Sequence, residues 1–253
     1  MSHLSQPDAV GTMLLVGASR GLGLAMAREF AKRRWNVVAT VRGTARTRLH
    51  DLAHEQEGRI QIETLDITQP DQIAALRDRL SGLTFDILFV NAGTATMNDE
   101  AVADVSSDEF ARVLVTNALS PMRVIEDLQD LVRIDGLIGV MSSGQGSIGD
   151  NTNGRHEVYR CSKSALNQLM RSYAARHADD KRALLLMAPG WIRTDLGGPK
   201  APFSVEESIP KIVDVLLQQQ HKPGLAYLDR DGNTVRWLQH AGRIGRAAGA
   251  ASR

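Results

Sequence analysis

Three observations predict an α/β fold built on one doubly wound parallel sheet. Short apolar runs alternate with amphipathic helical stretches along nearly the whole chain. The first run leads directly into Gly17-Ala18-Ser19-Arg20-Gly21-Leu22-Gly23 and then a helix, a strand–turn–helix context in which a glycine motif is informative. The clusters Gly17 to Gly23, Asn91 to Gly93, Ser142/Ser143 and Pro189 to Thr194 each fall just after a strand, at the carboxyl edge where such sheets bind ligands.

The elements follow in order. Thr12 to Val16 reads as a buried strand. Gly17 permits the tight turn after it. Gly21 and Gly23 let backbone and helix approach a diphosphate, whose charge suits the free N–H groups and positive dipole at the start of a helix running to about Arg34. A glycine loop of structural use only is the plainer alternative. Trp35 to Val41 is the second strand, and an acid at its end would bind the 2′-hydroxyl of NAD. Here Arg42 follows Val41 with no carboxylate nearby, and Arg20 can approach the same spot. Two guanidiniums and no acid suit a 2′-phosphate held bidentately, so the expected cofactor is NADP(H), a purely solvated role for either arginine being the alternative.

Thr44 to Glu57 reads as a helix and Ile60 to Leu65 as a strand, followed by Asp66-Ile67; Asp66 either accepts from the adenine amino group or caps the loop. Pro70 sits at a first-turn position of a helix to Leu80. Phe85 to Val90 ends in Asn91-Ala92-Gly93, a short-side-chain turn that brings backbone close to a cofactor or merely ends a strand. Ser106 to Glu109 forms a capping box opening a long helix. Asn117, in its apolar middle, requires a buried partner, catalytic or structural. Gly136 to Met141 is the fifth strand, then Ser142, Ser143 and a polar, glycine-rich loop from Gly144 to Gly154. After the helix to His177 come a strand at Ala183 to Met187, the segment Pro189 to Asp195, a helix at Ser204 to Gln219 and a short last strand at Leu225 to Leu228. The sum is a single-domain, Rossmann-type, doubly wound parallel sheet over residues 1–253, about seven strands with helices on both faces, and loose tails at 1–10 and 242–253.

Val158-Tyr159-Arg160-Cys161-Ser162-Lys163 opens the helix before the sixth strand. Tyr159 and Lys163 stand four apart and share a helical face, roughly 6 Å from one another. A phenol near pKa ~10 exchanges protons poorly at neutral pH. An ammonium one turn away favours the phenolate, and the expectation is a lowered phenol pKa. Composition adds exclusions. Thirty Lys plus Arg against 29 Asp plus Glu leaves a net charge of +1, which points to neither nucleic acid nor an anionic membrane surface. One cysteine, Cys161, forms no internal disulfide, reads as a small packing residue, and fits a cytoplasmic protein. His50 and His54 stand four apart on a polar helix with no third ligand, so no metal site is expected.

Taken together, the Gly17 to Gly23 motif, Asp66, Asn91-Ala92-Gly93, Asn117, Ser143, Tyr159 with Lys163, and Pro189-Gly190 with Thr194 resemble the short-chain dehydrogenase/reductase family from about Met13 to Trp237. Arg193 to Gly198 and Tyr159 to Asn167 look most like its small carbonyl reductases of the sniffer and C-factor type. The resemblance implies reduction of a small ketone or aldehyde to an alcohol by hydride transfer from NADPH, with Tyr159 as general acid. Lys163 would lower its pKa and hold the nicotinamide ribose, Ser143 would bond the substrate carbonyl, and Asn117 would anchor a water joining Lys163 to solvent. Gly17, Ser19, Arg20, Gly21, Leu22, Gly23, Arg42, Asp66, Ile67, Asn91, Ala92, Gly93, Pro189, Gly190, Ile192 and Thr194 would border the cofactor. One departure is that Ser143 precedes Tyr159 by sixteen positions, longer than the family interval, which keeps Ser142 as a second candidate. The likeness also implies a mobile lid at Thr194 to Val205 and a homo-oligomer, dimer or tetramer, paired through the helices after the fourth and fifth strands. On the same residues, a catalytically silent binding or signalling protein is the main alternative, an epimerase or dehydratase a further one.

Overall fold

A computed structural model describes residues 8–56, 58–95 and 101–238. The expected tails therefore lie outside the described residues, apart from Asp8 to Val10, where Val10 N–H already pairs with the Arg34 carbonyl.

Seven strands form one parallel sheet: β1 (Gly11–Val16), β2 (Trp35–Val41), β3 (Ile60–Thr64), β4 (Phe85–Val90), β5 (Val132–Met141), β6 (Ala183–Ala188) and β7 (Gly224–Asp229). Their spatial order is β3-β2-β1-β4-β5-β6-β7, each neighbour parallel. The order reverses between β1 and β4, which opens a crevice at their carboxyl ends. Interior strands such as β2 and β6 are buried along their whole length because helices cover both faces, so they read as unbroken apolar runs.

One face is covered by α1 (Gly21–Lys32), α2 (Arg48–Glu55) and α7 (Val205–Gln219), with Met26, Phe30, Leu52, Ile212 and Leu216 in the core. The other carries α3 (Pro70–Arg79), α4 (Ser107–Leu114), α5 (Ser120–Leu128) and α6 (Glu157–Arg176), with Leu76, Ile125, Leu166, Met170 and Tyr173 buried. Full burial of each large apolar side chain stabilises the fold by ~1.5 to 3 kcal/mol.

Local details depart from the sequence expectation in four places. The second helix starts at Arg48, not Thr44, because Thr47 caps it and the His50 ring accepts from the Thr47 N–H at 3.0 Å. β5 begins at Val132, before Gly136, with an irregularity in its pairing to β4 between Phe85 and Ile87. The long helix after Ser106 is divided: α4 passes through a π-helical turn, Val115–Leu119, into α5. Ser106 does cap α4 by accepting from Glu109 N–H at 3.2 Å, but the Glu109 carboxylate turns to Arg112 instead of completing the box. Cys161 is exposed, contrary to its expected packing role, because the buried stripe of α6 runs through Val158, Ser162, Lys163 and Leu166.

Candidate active site

The glycine turn is held from both sides. Thr40, buried near the end of β2, accepts Gly17 N–H on its Oγ1 at 2.9 Å and Ala18 N–H on its carbonyl at 2.8 Å. From the end of β4, Asn91 donates through Nδ2 to the Gly17 carbonyl at 2.7 Å, while its own N–H and that of Ala92 bond the Val16 carbonyl. Gly17 sits at φ +90°, and a Cβ there would lie 2.8 Å from Ala92 backbone atoms. A Cβ on Gly23 would lie 2.1 Å from the Gly17 carbonyl oxygen. The turn is thus glycine because strand end, turn and helix start pack backbone to backbone. α1 begins after Arg20 with no side-chain cap and no acid in its first turn, so its leading N–H groups form a donor set suited to a diphosphate.

Arg42 is exposed at the end of β2 and, among the described residues, has no hydrogen bond or ion pair. Arg20 is 76% exposed and faces the Asp195 carboxylate at 3.6 Å across the cleft mouth. Asp66 uses Oδ1 to accept from Thr68 N–H at 2.9 Å and from its hydroxyl at 2.7 Å, so it does cap its loop and keeps one oxygen for another partner. Ile67 beside it is buried.

The second half of the site is assembled by α6. Lys163 is 4% exposed, and its Nζ donates to the Met141 carbonyl at 2.9 Å and lies 5.8 Å from the Tyr159 ring centroid. Ser143 accepts Gln145 N–H on Oγ at 3.1 Å, and its side chain lies next to that of Tyr159. Burial pushes the Tyr159 hydroxyl up to about 12, against the nearby Ser143 side chain that pulls it down. Burial alone pushes Lys163 down to about 8. The expected lowering of the phenol by Lys163 is therefore corrected: the dry surroundings disfavour both charged forms, and the ammonium is directed at a carbonyl.

Asn117 sits fully buried in the π-helical turn. Its Oδ1 accepts Thr94 N–H at 2.8 Å, and its Nδ2 donates to the Thr94 carbonyl at 2.8 Å and the Ser162 hydroxyl at 3.0 Å. Its side chain thus clamps the chain beyond Asn91-Ala92-Gly93 to α6. A Cβ on Gly93 would meet Asn117 Oδ1 at 3.3 Å and Lys163 Nζ at 3.6 Å. The glycine turn, the β4 end and the α6 pair are therefore one contiguous site. Ser142 is removed as an alternative to Ser143: it is buried and its hydroxyl donates to Asn167 Oδ1 at 2.6 Å. The additional residues before Tyr159 form a short 3-10 turn, Gly144–Gly146, held to α6 through Ser164 and Asn167, and then an exposed loop.

After β6, Gly190 takes φ +85° against the Phe203 ring. The chain then doubles back: Ile192 bridges Phe203, and Arg193 N–H donates to the Phe203 carbonyl at 2.8 Å. Thr194 Oγ1 accepts Gly197 N–H at 3.0 Å, and its methyl reaches to 4.0 Å of a Cβ built on Gly21, which brings this segment over the glycine turn. Three residues that shape the site were not foreseen. Thr40 had a sequence signal, a hydroxyl near the end of an apolar strand. Asn167, which entered only as the end of a stretch carrying the family resemblance, and Tyr227 had no signal for this role, because only the packing of β7 against α6 brings them together beside Ser142 and Ser143. Among the described residues, no group of three or more His, Cys, Asp or Glu side chains is placed to hold a metal.

The family profile described as Enoyl-(Acyl carrier protein) reductase matches residues 17–210. A 1-hydroxy-2-glutathionyl-2-methyl-3-butene dehydrogenase from Rhodococcus sp. (strain AD45) is 32% identical over 190 residues, 74% of this chain and 80% of that protein. A short-chain dehydrogenase/reductase from Burkholderia multivorans, solved with bound NADP, is 61% identical with a TM-score of 0.89, over 90% of this chain and 99% of that one. A carbonyl reductase from Pseudomonas aeruginosa PAO1, solved in complex with NADP, is 31% identical with a TM-score of 0.82, over 90% of this chain and all of that one. The sheet order, the glycine turn and these likenesses converge, and the chain belongs to the short-chain dehydrogenase/reductase family.

Proposed function

We propose that this protein is an NADPH-dependent reductase of a small ketone or aldehyde. The observation that carries the reading is the contact of the Tyr159 and Ser143 side chains beside Lys163, in the site continuous with the glycine turn. The uncapped start of α1 would hold the diphosphate, Arg42 with Arg20 the 2′-phosphate, Asp66 the adenine edge, and Pro189 to Thr194 the nicotinamide end. Bound NADPH supplies the hydride that reaches the carbonyl carbon.

The chain's own groups manage the oxygen. Ser143, whose Oγ already accepts from Gln145 N–H, donates a hydrogen bond from its hydroxyl to the substrate carbonyl and keeps its proton. Tyr159, kept protonated through the neutral range by burial, gives its proton to the developing alkoxide. Lys163 remains largely an ammonium below about 8, and its charge steadies the phenolate left behind. Asn117 fixes the geometry by tying Thr94 to Ser162 next to these groups. The segment from Thr194 to Val205 acts as the lid over the substrate. Exposed Leu119 and Leu169, on the helices after the fourth and fifth strands, support pairing of two copies through that side. The lone Cys161 fits a cytoplasmic setting.

The test follows NADPH absorbance with a panel of ketones, aldehydes and quinones, wild type against Tyr159→Phe, with NADH in parallel. Turnover with NADPH that vanishes in the variant is expected. Absence of turnover on every carbonyl, with NADPH still bound, would replace this reading by that of a catalytically silent binding protein.

A further inference from the structure

β7 is two strands away from β5, yet one of its side chains reaches the residue that follows β5. Tyr227 is level with Leu186 of β6, which is level with Val140 of β5. Its ring is 2% exposed and lies in the core on the α6 side of the sheet. A buried phenol requires a partner. Its hydroxyl donates to the main-chain carbonyl of Ser143. That carbonyl also accepts Gly146 N–H at 2.8 Å, so both of its lone pairs are engaged.

Around this bond lies a buried polar group with no part in the proposed chemistry. The Ser142 hydroxyl donates to Asn167 Oδ1 at 2.6 Å, Asn167 Nδ2 donates to the Gly146 carbonyl at 3.2 Å, and Ser164 donates to the same carbonyl at 3.1 Å. The side chains of Asn167 and Ser142 also contact the Tyr227 hydroxyl. The chain is thus tied to α6 on either side of Ser143, through the Ser142 side chain and the Gly146 carbonyl, and to β7 through the Ser143 carbonyl itself. Trp237 closes over the outer side, edge to face with the Tyr227 ring at 5.3 Å and 65°. Its carbonyl accepts Gly149 N–H at 3.4 Å, from the loop that joins Ser143 to Tyr159.

We infer that Tyr227 is a positioning residue for carbonyl reduction: its hydroxyl fixes the Ser143 peptide and so aims the Ser143 side chain at the substrate oxygen beside Tyr159. The longer interval between Ser143 and Tyr159 gives this brace its purpose. A flexible loop of this length cannot by itself hold a hydroxyl to the sub-ångström tolerance a reacting geometry demands. The inference rests on the reductase reading for its kinetic consequence, but the brace itself is a property of the fold.

Tyr227→Phe keeps the ring on Trp237 and removes only the donor. Steady-state kinetics of wild type, Tyr227→Phe, Ser143→Ala and the double variant are compared, with amide exchange of residues 143–147 read by mass spectrometry. Expected are a fall in kcat of about 10-fold in Tyr227→Phe, NADPH affinity within about twofold, and faster exchange confined to 143–147. The double variant should match Ser143→Ala, since one residue acts through the other. Unchanged exchange in Tyr227→Phe, or kcat losses that multiply in the double variant, would overturn the inference. Wild-type inactivity on every carbonyl would sink the reductase reading alone, because the exchange result still decides whether the brace exists.

Discussion

The two halves of the site solve opposite electrostatic problems. At the β1–β2 end, Arg20 and Arg42 stand in solvent and α1 opens without a side-chain cap. At the β5–α6 end, Asn117 and Lys163 are buried, each bonded within the protein, and burial pushes the Tyr159 hydroxyl up to about 12. A half that must meet permanent phosphate charge gains from staying hydrated and accessible until the ligand arrives. A half proposed to move a proton gains from dryness, because low dielectric sets pKa values and makes every misplaced dipole costly. The difference teaches that loss of a group in the wet half weakens binding modestly, whereas loss in the dry half disrupts chemistry or folding.

The largest expected effect comes from the dry half. Tyr159→Phe should lower kcat/KM by about 10³-fold while leaving NADPH titration unchanged; a loss under tenfold would show that another group supplies the proton. Asn117→Ala strips Thr94 of both backbone partners and Ser162 of its donor. It should cost about 2 to 3 kcal/mol in urea unfolding and about 10²-fold in kcat. Full stability with full activity would mean that the clamp is idle.

Lys163 sharpens the contrast through sign. Its folded pKa of about 8 lies below the ordinary 10.5, so between these values the unfolded chain binds more protons and stability rises with pH. Below about 8 the full penalty of burying the ammonium is present. Lys163→Met should therefore be more stable than wild type at pH 7, by about 2 kcal/mol, with the gap narrowing toward pH 10, even though reduction is lost. Wild-type kcat/KM should decline as pH rises through about 8 as Lys163 loses its charge. A variant less stable than wild type at pH 7 would contradict the burial penalty. In the wet half, Arg42→Ala should weaken NADPH binding by only about 10-fold and leave NADH binding unaltered. An equal loss for both cofactors would break the assignment of Arg42 to the 2′-phosphate.

Much of this was legible in the residues alone. Strand–turn–helix periodicity and the order of glycines carry the parallel sheet and the carboxyl-edge site, because backbone conformation and burial on both faces leave one-dimensional marks. Tyr159 and Lys163 share a face by helical geometry. The direction in which the phenol's pKa moves was not legible, since it depends on how much water the surrounding elements exclude. Likewise, Ser142 and Ser143 are indistinguishable in the chain, and only the position of Asn167 on α6 decides which hydroxyl is turned into the core. The sequence by itself determined the family of the fold and the placement of Tyr159 and Lys163 on one helical face. Tertiary structure alone decided their electrostatics and the brace from Tyr227, because those arise where segments distant in sequence meet and exclude solvent.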